Sequence, residues 1–300
     1  MRFAVSQGGR NMQYDLTGRN VLLTGASRGL GLQIAQTLWQ CGANLFLVAR
    51  SGPPLQSLCS DLTAQGRSRQ IARTTTADLA LPHAASGIVE AALRACGRID
   101  VLINNAAILG PIGPLWQSEP EAWEQTIRVN LLAPVALCRA VLPGMIERRC
   151  GKIINLSGGG ATGPRPFFSA YGAAKAALVR FTETLAHETC DYNIQVNAVA
   201  PGAMATDMHA AVLVAGPGRA GAAEYAQAVH QAESGGTNPA RPATLCAFLA
   251  SSASDAISGR LLSAIWDPWE ALPARAAELA ASDIYTLRRV VPADRGKEWA

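Results

Sequence analysis

Short apolar runs alternate with longer segments of helical period along most of the chain. Each run predicts a buried strand, because a parallel strand covered on both faces reads as continuous apolar sequence. The intervening segments carry apolar residues three and four positions apart, which predicts amphipathic helices. The predicted strands span residues 21–23, 44–49, 70–76, 99–103, 152–156, 194–199 and 261–265. The predicted helices span residues 30–39, 55–65, 84–96, 119–148 and 169–188.

This alternation predicts an α/β fold. Repeated strand–helix units give parallel strands with right-handed crossovers. We therefore expect a Rossmann-type, doubly wound parallel sheet of about seven strands with helices on both faces. Ligands of such sheets bind at the carboxyl ends of the strands. Pro134 and Pro143 are expected to kink or interrupt the fourth predicted helix.

Two segments fit the alternation less well. Residues 206–237 have no strong pattern and contain many Gly and Ala residues. Near the C-terminus a helix is predicted over roughly residues 270–281, and an extended piece over residues 284–291. Trp266 and Trp269 are interpreted as packing anchors, with stacking on a ligand ring as the alternative.

Three glycines lie between the first predicted strand and the first predicted helix, in the stretch VLLTGASRGLG. Gly25 allows a tight turn, Gly29 lets the backbone approach a pyrophosphate, and Gly31 lets helix and strand pack closely. The helix N-terminus adds free N–H groups and the positive end of its dipole. We predict a dinucleotide-binding loop here, formed together with Ser27, Arg28 and Leu30.

The residues that follow the second predicted strand indicate which dinucleotide binds. An acidic residue at this place would bind the ribose hydroxyls of NAD, but the chain has Arg50 and Ser51 instead. Arg50 is expected to face a 2′-phosphate, with Ser51 donating to it and Arg28 adding a second charge, so NADP(H) is predicted. Ordinary surface arginines are the alternative. Asp78, with its neighbour Leu79, is expected beside the adenine, where a simple turn aspartate is the alternative.

A tyrosine and a lysine four residues apart follow the fifth predicted strand. At this spacing Tyr171 and Lys175 share one helix face. A phenol is a poor acid–base catalyst at its usual pKa of about 10, and a nearby ammonium is expected to lower that pKa. Such a pair is common by chance on surface helices. Its position directly after a strand of the predicted sheet favours a catalytic pair.

These motifs together resemble the short-chain dehydrogenase/reductase family. The family's T-G-x-x-x-G-x-G is present at residues 24–31, and its N-N-A-G is present as N-N-A-A at residues 104–107. Asn130, in the stretch RVNLLAP, matches an asparagine of the family's long helix. The remaining matches are the Tyr171–Lys175 pair and a P-G-x-x-x-T motif formed by Pro201, Gly202 and Thr206.

The resemblance implies a nicotinamide cofactor and a carbonyl or alcohol substrate. It implies that Tyr171 is the general acid/base, that Lys175 holds the nicotinamide ribose, and that Asn130 holds a relay water. It also implies cofactor contacts by Asn105, Ala106, Pro201, Gly202 and Thr206. A homodimer or homotetramer is expected, with the long helix and the Tyr171 helix at its interface.

One position departs from the family pattern. The family's catalytic serine, counted back from Tyr171, falls on Gly158, and Ser157 comes one residue early. A slip of one residue sends a side chain to the opposite face of a strand, but the following glycines permit a bend. We therefore predict that Ser157 reaches the site. The alternatives are a simple strand-end hydroxyl, or replacement by Thr162 or Ser169.

Composition narrows the class of protein further. Hydrophobic residues make up 49% and charged residues 16%, enough for a sizeable core. The net charge of +4 comes without a basic run, so no nucleic-acid partner is predicted. No uninterrupted apolar stretch of membrane-spanning length is found, and no metal site is predicted. The seven scattered cysteines, without a C-x-x-C motif, indicate reduced and mostly buried thiols in a cytoplasmic protein.

No linker divides the chain, so we expect a single dinucleotide-binding and catalytic domain over residues 1–300. Residues 1–15 form a polar leader without the apolar core of a signal peptide, and residues 266–300 form a C-terminal extension. The predicted function is an NADP(H)-dependent dehydrogenase or reductase. The alternative is an NADP-binding sensor or partner subunit without turnover. An epimerase or dehydratase on the same fold is a weaker third reading.

Overall fold

The computed structural model describes residues 14–65 and 69–299. Its central feature is one seven-stranded sheet in which every neighbouring pair of strands is parallel. The spatial order is β3-β2-β1-β4-β5-β6-β7, so the order reverses between β1 and β4. The strands are β1 (Asn20–Thr24), β2 (Asn44–Ala49), β3 (Ala72–Thr76), β4 (Val101–Asn104), β5 (Gly151–Leu156), β6 (Ile194–Ala200) and β7 (Leu261–Ser263). The predicted doubly wound parallel sheet is confirmed.

Helices cover both faces of this sheet because consecutive strand residues point to opposite sides. Val21 and Leu23 of β1 pack into a core with α1 and α9, whereas Leu22 between them packs against α3 and α5. The helices are α1 (Gly29–Gln40), α2 (Gly52–Gln65), α3 (Ala84–Cys96), α4 (Pro120–Ile127), α5 (Ala133–Arg148), α6 (Ser169–Glu188), α7 (Asp207–Ala220), α8 (Ala222–Ser234), α9 (Ala240–Ala250) and α10 (Ala276–Ala280).

The predicted long helix is interrupted, although not by its prolines. A π-helical turn, Arg128–Leu132, separates α4 from α5. Pro134 lies in the first turn of α5, where its missing N–H has no helical acceptor, and Pro143 lies inside α5 without ending it. The run over residues 120–148 also has the length and average hydropathy of a membrane span, although charged residues such as Arg139 interrupt it, and 44% of its apolar window is buried in the fold.

Residues 206–237, which show no strong sequence pattern, form two helices. Helices α7 and α8 meet at Gly221 and make a helical hairpin, here called the α7–α8 hairpin. Its base is closed by an antiparallel bridge between Met204 and Gly236 and by Thr237 N–H donating to the Ala203 carbonyl at 2.8 Å. Glycines and a proline interrupt the helical period here, which hid both helices from the sequence pattern.

The C-terminal extension packs on the sheet but differs from its prediction. It contains a 3₁₀ segment, Trp269–Arg275, followed by α10, and no strand forms over residues 284–291, where a turn is followed by irregular chain. The Arg260 guanidinium donates to three tail carbonyls at 2.6–2.9 Å, those of Leu279, Ser282 and Ile284.

The two tail tryptophans have opposite environments. Trp269 is fully buried, its ring centroid lies 5.4 Å from that of Phe248, and its indole N–H donates to the Ala264 carbonyl at 3.3 Å. Trp266 is 85% exposed. Only Trp269 is therefore a packing anchor.

The seven cysteines form no disulfide. Three of them, Cys41, Cys138 and Cys246, are buried, and Cys190 is exposed. The expectation of mostly buried thiols is therefore wrong for the set as a whole, because the other three, Cys59, Cys96 and Cys150, are only partly buried.

Truncation of Trp269 should destabilise the fold. Trp269→Ala is expected to lower the free energy of unfolding by about 3–5 kcal/mol, because it leaves a cavity beside Phe248 and removes the indole hydrogen bond to the Ala264 carbonyl. Urea denaturation measures the loss. The matched control is Trp266→Ala, which should change stability by less than about 0.5 kcal/mol. Similar losses in both variants would contradict the assignment of Trp269 as the anchor.

Candidate active site

The glycine-rich loop lies at the carboxyl end of β1, where the order of strands reverses. Gly31 packs so closely on the loop that a Cβ there would lie 2.0 Å from the Gly25 carbonyl oxygen. Gly25 has a φ of +67°, and a Cβ on it would lie 2.8 Å from the Ala106 Cα. Only glycine fits either position. Since no side chain caps α1, its first N–H groups are left for a ligand at this edge.

Two polar side chains hold this loop against β4. The Asn105 amide donates to the carbonyls of Thr24 and Gly25, at 3.0 and 3.1 Å. The Thr24 hydroxyl accepts from the backbone N–H groups of Asn105 and Ala106, both at 3.1 Å. Asn105 and Ala106, directly after β4, therefore hold the glycine-rich loop of the predicted cofactor site in place. The role of Thr24 was not predicted, because its hydrogen bonds join residues that are 81 and 82 positions apart.

The residues predicted to select the dinucleotide have different surroundings. Arg50 and Ser51 are exposed at the end of β2, and within the described ranges no side chain hydrogen-bonds or pairs with either. Arg28 pairs with Asp207 at 2.6 Å, and both side chains are about 70% exposed. The Asp78 carboxylate accepts from the Ala80 N–H at 2.9 Å, as in an ordinary turn.

The Tyr171–Lys175 pair lies in the first turns of α6, against the end of β5. Both residues are buried, at 7% and 2% exposure. The Lys175 ammonium donates to the Leu156 carbonyl at 2.7 Å and lies 5.7 Å from the centre of the Tyr171 ring. A Cβ on Gly158 would lie 2.4 Å from the Tyr171 hydroxyl oxygen. The position where the family carries serine thus faces Tyr171, and the phenol fills its space.

Burial dominates the protonation of this pair. It raises the pKa of Tyr171 above its usual value, and the Arg165 guanidinium opposes the increase. Burial also lowers the pKa of Lys175 from 10.5 to about 8. The expectation that the lysine brings the tyrosine pKa toward neutrality is wrong in direction here, because desolvation of the phenolate outweighs the nearby positive charge.

Ser157 is placed at the same strand end with an unused hydroxyl. It is 4% exposed, and its N–H continues the ladder to the Val199 carbonyl at 2.8 Å. Its Oγ is buried without a hydrogen-bond partner among the described residues. The two alternative hydroxyls are less suited, because Ser169 accepts from the Trp123 indole at 3.2 Å and Thr162 is exposed. An orphaned buried hydroxyl is suited to a ligand atom.

Asn130 lies in the π-helical turn and is fully buried. Its amide oxygen accepts from the Ile108 N–H at 2.9 Å, and its amide nitrogen donates to the Ile108 carbonyl at 2.8 Å. Both atoms therefore hold the loop that follows β4. The implied relay water stays a prediction.

The loop after β6 extends toward the glycine-rich loop. Gly202 has a φ of +87°, and a Cβ on it would lie 2.8 Å from the Thr237 hydroxyl, so a larger residue is excluded after Pro201. The Thr206 methyl group lies 3.7 Å from where a Cβ on Gly29 would be. Thr206 thus borders the glycine-rich loop, and the cofactor contacts of Pro201, Gly202 and Thr206 stay a prediction.

The α7–α8 hairpin covers Tyr171 with apolar side chains. Val212 and Ala228 join the buried cluster around Tyr171, with Leu109, Ile112 and Phe168. Sequence analysis missed the ion pair beside this cluster, in which Arg165 Nε donates to the Glu224 carboxylate at 2.9 Å. No local pattern could have revealed it, since the partners are 59 residues apart.

The lowered pKa of Lys175 makes stability depend on pH. Between about pH 8 and 10.5, this lysine is protonated in the unfolded chain and deprotonated in the folded chain. The free energy of unfolding therefore rises with pH across this range, by at most about 3 kcal/mol. Lys175→Met should remove that part of the rise, as measured by urea denaturation across this range. Lys297→Met, which removes an exposed lysine, should keep the wild-type dependence. Parallel curves for all three proteins would contradict the assignment.

Known proteins share this architecture. The family model described as short chain dehydrogenase matches residues 19–214, more than half of the chain. The chain is 36% identical over 193 residues to 2,3-dihydro-2,3-dihydroxybenzoate dehydrogenase of Bacillus subtilis, a match that covers 64% of this chain and 72% of that protein. It is 34% identical over 191 residues to 3-oxoacyl-(acyl-carrier-protein) reductase of Salmonella typhimurium, covering 64% and 75%.

A solved structure agrees with these sequence matches. The crystal structure of a gluconate 5-dehydrogenase from Burkholderia cenocepacia, in complex with NADP and tartrate, superposes with a TM-score of 0.73 at 31% identity. The match covers 83% of this chain and 94% of that one. With the glycine loop, the strand order and the buried Tyr171–Lys175 pair in place, the chain belongs to the short-chain dehydrogenase/reductase family of oxidoreductases.

Proposed function

We propose that this protein is an NADP(H)-dependent oxidoreductase that interconverts a small carbonyl compound and its alcohol. The observation that carries the proposal is the position of the Tyr171 hydroxyl. It lies over Gly158 at the carboxyl end of β5, with the Lys175 ammonium fixed beside it on the Leu156 carbonyl. A buried acid–base group and a buried cation are thus joined to the edge where this fold binds ligands.

The residues present fit a dinucleotide. Gly25 and Gly31 leave no room for side chains and bring the backbone to the surface, and the uncapped first turn of α1 suits a pyrophosphate. Arg50 and Ser51 would contact a 2′-phosphate, and Thr206 borders the loop on the other side. When bound, the nicotinamide supplies or accepts the hydride.

The side chains divide the remaining work. Tyr171 donates its hydroxyl proton to the substrate oxygen during carbonyl reduction, and its phenolate takes the proton back during alcohol oxidation. Lys175 stabilises that phenolate and binds the ribose. Ser157, whose Oγ is buried and unpartnered, donates to the developing alkoxide. Asn130 holds the loop after β4 in place through Ile108.

The preference for NADP(H) rests on charge at the end of β2. Arg50 is exposed, unpaired within the described ranges and followed by Ser51, with no carboxylate beside them. The gluconate 5-dehydrogenase of similar structure was crystallised with NADP. The contribution of Arg28 is weaker, because its guanidinium already pairs with Asp207 at 2.6 Å.

A second function has its own support. A binding protein without turnover would tolerate Gly158, which offers no hydroxyl, and a Tyr171 whose pKa is raised by burial. Such a protein would bind NADPH without oxidising it in the presence of any carbonyl compound.

Assembly and location are also part of the proposal. We propose a homodimer or homotetramer in the cytoplasm, with the outward faces of α5 and α6 at the interface. Alanines on α6, among them the exposed Ala173, allow the close approach of a second helix. The exposed Leu132, at the start of α5, would be covered there.

Replacing Arg50 should change the choice of cofactor. The wild type is expected to bind NADPH at least about tenfold more tightly than NADH, because charge-assisted contacts to the 2′-phosphate are absent in NADH. Arg50→Asp should abolish or reverse this preference, measured by titrating protein fluorescence with each nucleotide. Arg289→Asp, an exposed change in the tail, should retain it. Equal wild-type affinities would refute the assignment.

Replacing Ser157 tests the hydroxyl donor. Tyr171→Phe should abolish turnover, and Ser157→Ala should lower kcat at least about tenfold while NADPH binding stays intact. A screen of NADPH oxidation with ketones, aldehydes, acyl thioesters and keto-sugars supplies the substrate. The controls Ser169→Ala and Thr162→Ala remove the alternative hydroxyls and should keep kcat. A wild-type kcat in Ser157→Ala would exclude Ser157, and a wild type that oxidises nothing would favour the binding protein.

A further inference from the structure

Arg165 packs beside two of the three consecutive glycines at the site, Gly159 and Gly160. A Cβ on Gly159 would lie 3.7 Å from both the Cδ and the Nη1 of Arg165, and one on Gly160 would lie 3.3 Å from its Cβ. The arginine stem therefore packs along the glycine turn that replaces the family's serine. Larger residues in this turn would compete with Arg165 for the same space.

The guanidinium is held in a defined place. Its Nε donates to the Glu224 carboxylate at 2.9 Å, and its Cζ lies 4.1 Å from the centre of the Phe168 ring. Both charged side chains are only about a quarter exposed, at 21% and 26%. The loop is fixed next to them, since the Phe167 carbonyl accepts from the Gly113 N–H at 2.9 Å. An arginine so restrained is unlike a solvated surface cation.

This restrained cation faces the catalytic phenol. The Arg165 Cζ lies 5.7 Å from the centre of the Tyr171 ring, the same distance as the Lys175 ammonium. The two cations have different surroundings, because Lys175 donates to a backbone carbonyl and is fully buried. Among the described residues, Arg165 is the group that opposes the effect of burial on the pKa of Tyr171.

Several other charged groups on the elements packed around Tyr171 have partners of their own. On the α7–α8 hairpin, Asp207 pairs with Arg28, and His209 Nε2 lies 2.7 Å from the Ala228 carbonyl. On α4, Glu124 pairs with Arg128. Glu224 is the counter-ion of Arg165 itself, and Arg165 remains the charged group that opposes the effect of burial on the pKa of Tyr171.

We propose that Arg165 is a positioning residue whose guanidinium, held by Glu224 of the α7–α8 hairpin, supplies positive charge that stabilises the Tyr171 phenolate. This assignment rests on the proposed function, because the charge of Arg165 affects a reaction only where Tyr171 exchanges a proton with a substrate. It also accounts for the glycine turn, which leaves the guanidinium room beside the phenol.

The first test needs no substrate. The tyrosinate absorption of each protein is followed against pH, with and without NADP⁺, and the curve of the same protein carrying Tyr171→Phe is subtracted. Arg165→Met should move the ionisation of Tyr171 up by about one pH unit, since an opposite charge at this range typically shifts a pKa by one unit or more. Arg165→Lys keeps the charge and should keep most of the wild-type midpoint.

Arg219→Met is the matched control. Arg219 lies on the same hairpin and donates to the Ile112 carbonyl at 3.2 Å, so its loss perturbs the hairpin without removing charge at Tyr171. It should leave the midpoint unchanged. An unshifted midpoint in Arg165→Met, or an equal shift in Arg219→Met, would overturn the proposal.

The second test uses alcohol oxidation, in which the phenolate is the base. Below the midpoint, Arg165→Met should lower kcat about tenfold, with recovery at higher pH and an unchanged KM for the alcohol. A purely structural role would lower kcat at every pH. If the titration shifts but the wild type oxidises and reduces nothing, the charge assignment stands and the proposed function fails. If turnover is normal and nothing shifts, only the role of Arg165 fails.

Discussion

The close approach of α1 to the end of β1 is the constraint on which the site depends. The Gly25 carbonyl lies where a side chain on Gly31 would begin, so helix and turn meet backbone to backbone. Such contact needs its polar groups satisfied, and the Asn105 amide does this from the neighbouring strand. The loop's shape is therefore set by β1 and β4 together, at the point where strand order reverses. A ligand at this edge would meet a loop whose backbone contacts are already made.

The residues that were predictable share a local signature. Continuous apolar runs identified the strands, and the predicted limits of α3 and α6 coincide with the observed ones, because both helices have strong periods and clear ends. Tyr171 and Lys175 were identified by spacing on one such helix. The α7–α8 hairpin was not, because Gly216 and Pro217 break its period and its apolar side chains are matched by residues far away in sequence.

Electrostatic properties were the least predictable. The pattern places a lysine beside a tyrosine, but it does not say how deeply either is buried, and burial sets the direction of both pKa shifts. The pairing of Arg28 with Asp207 and of Arg165 with Glu224 likewise follows from the folded hairpin. These contacts arise only when segments separated by more than fifty residues are brought together at the carboxyl edge of the sheet.

The C-terminal extension also changes the sheet itself. Strand β7 is the last in the order, and an unpaired edge strand is a template for another chain. Here the Leu261 N–H donates to the Tyr285 carbonyl at 2.8 Å, and the Leu287 N–H is taken by Glu183. The irregular backbone of the tail thus pairs with Leu261 on the outer side of β7, and it is held against α6 through Glu183, without forming a strand of its own. The C-terminal tail therefore covers this edge of the sheet, which protects it from edge-to-edge aggregation with another chain.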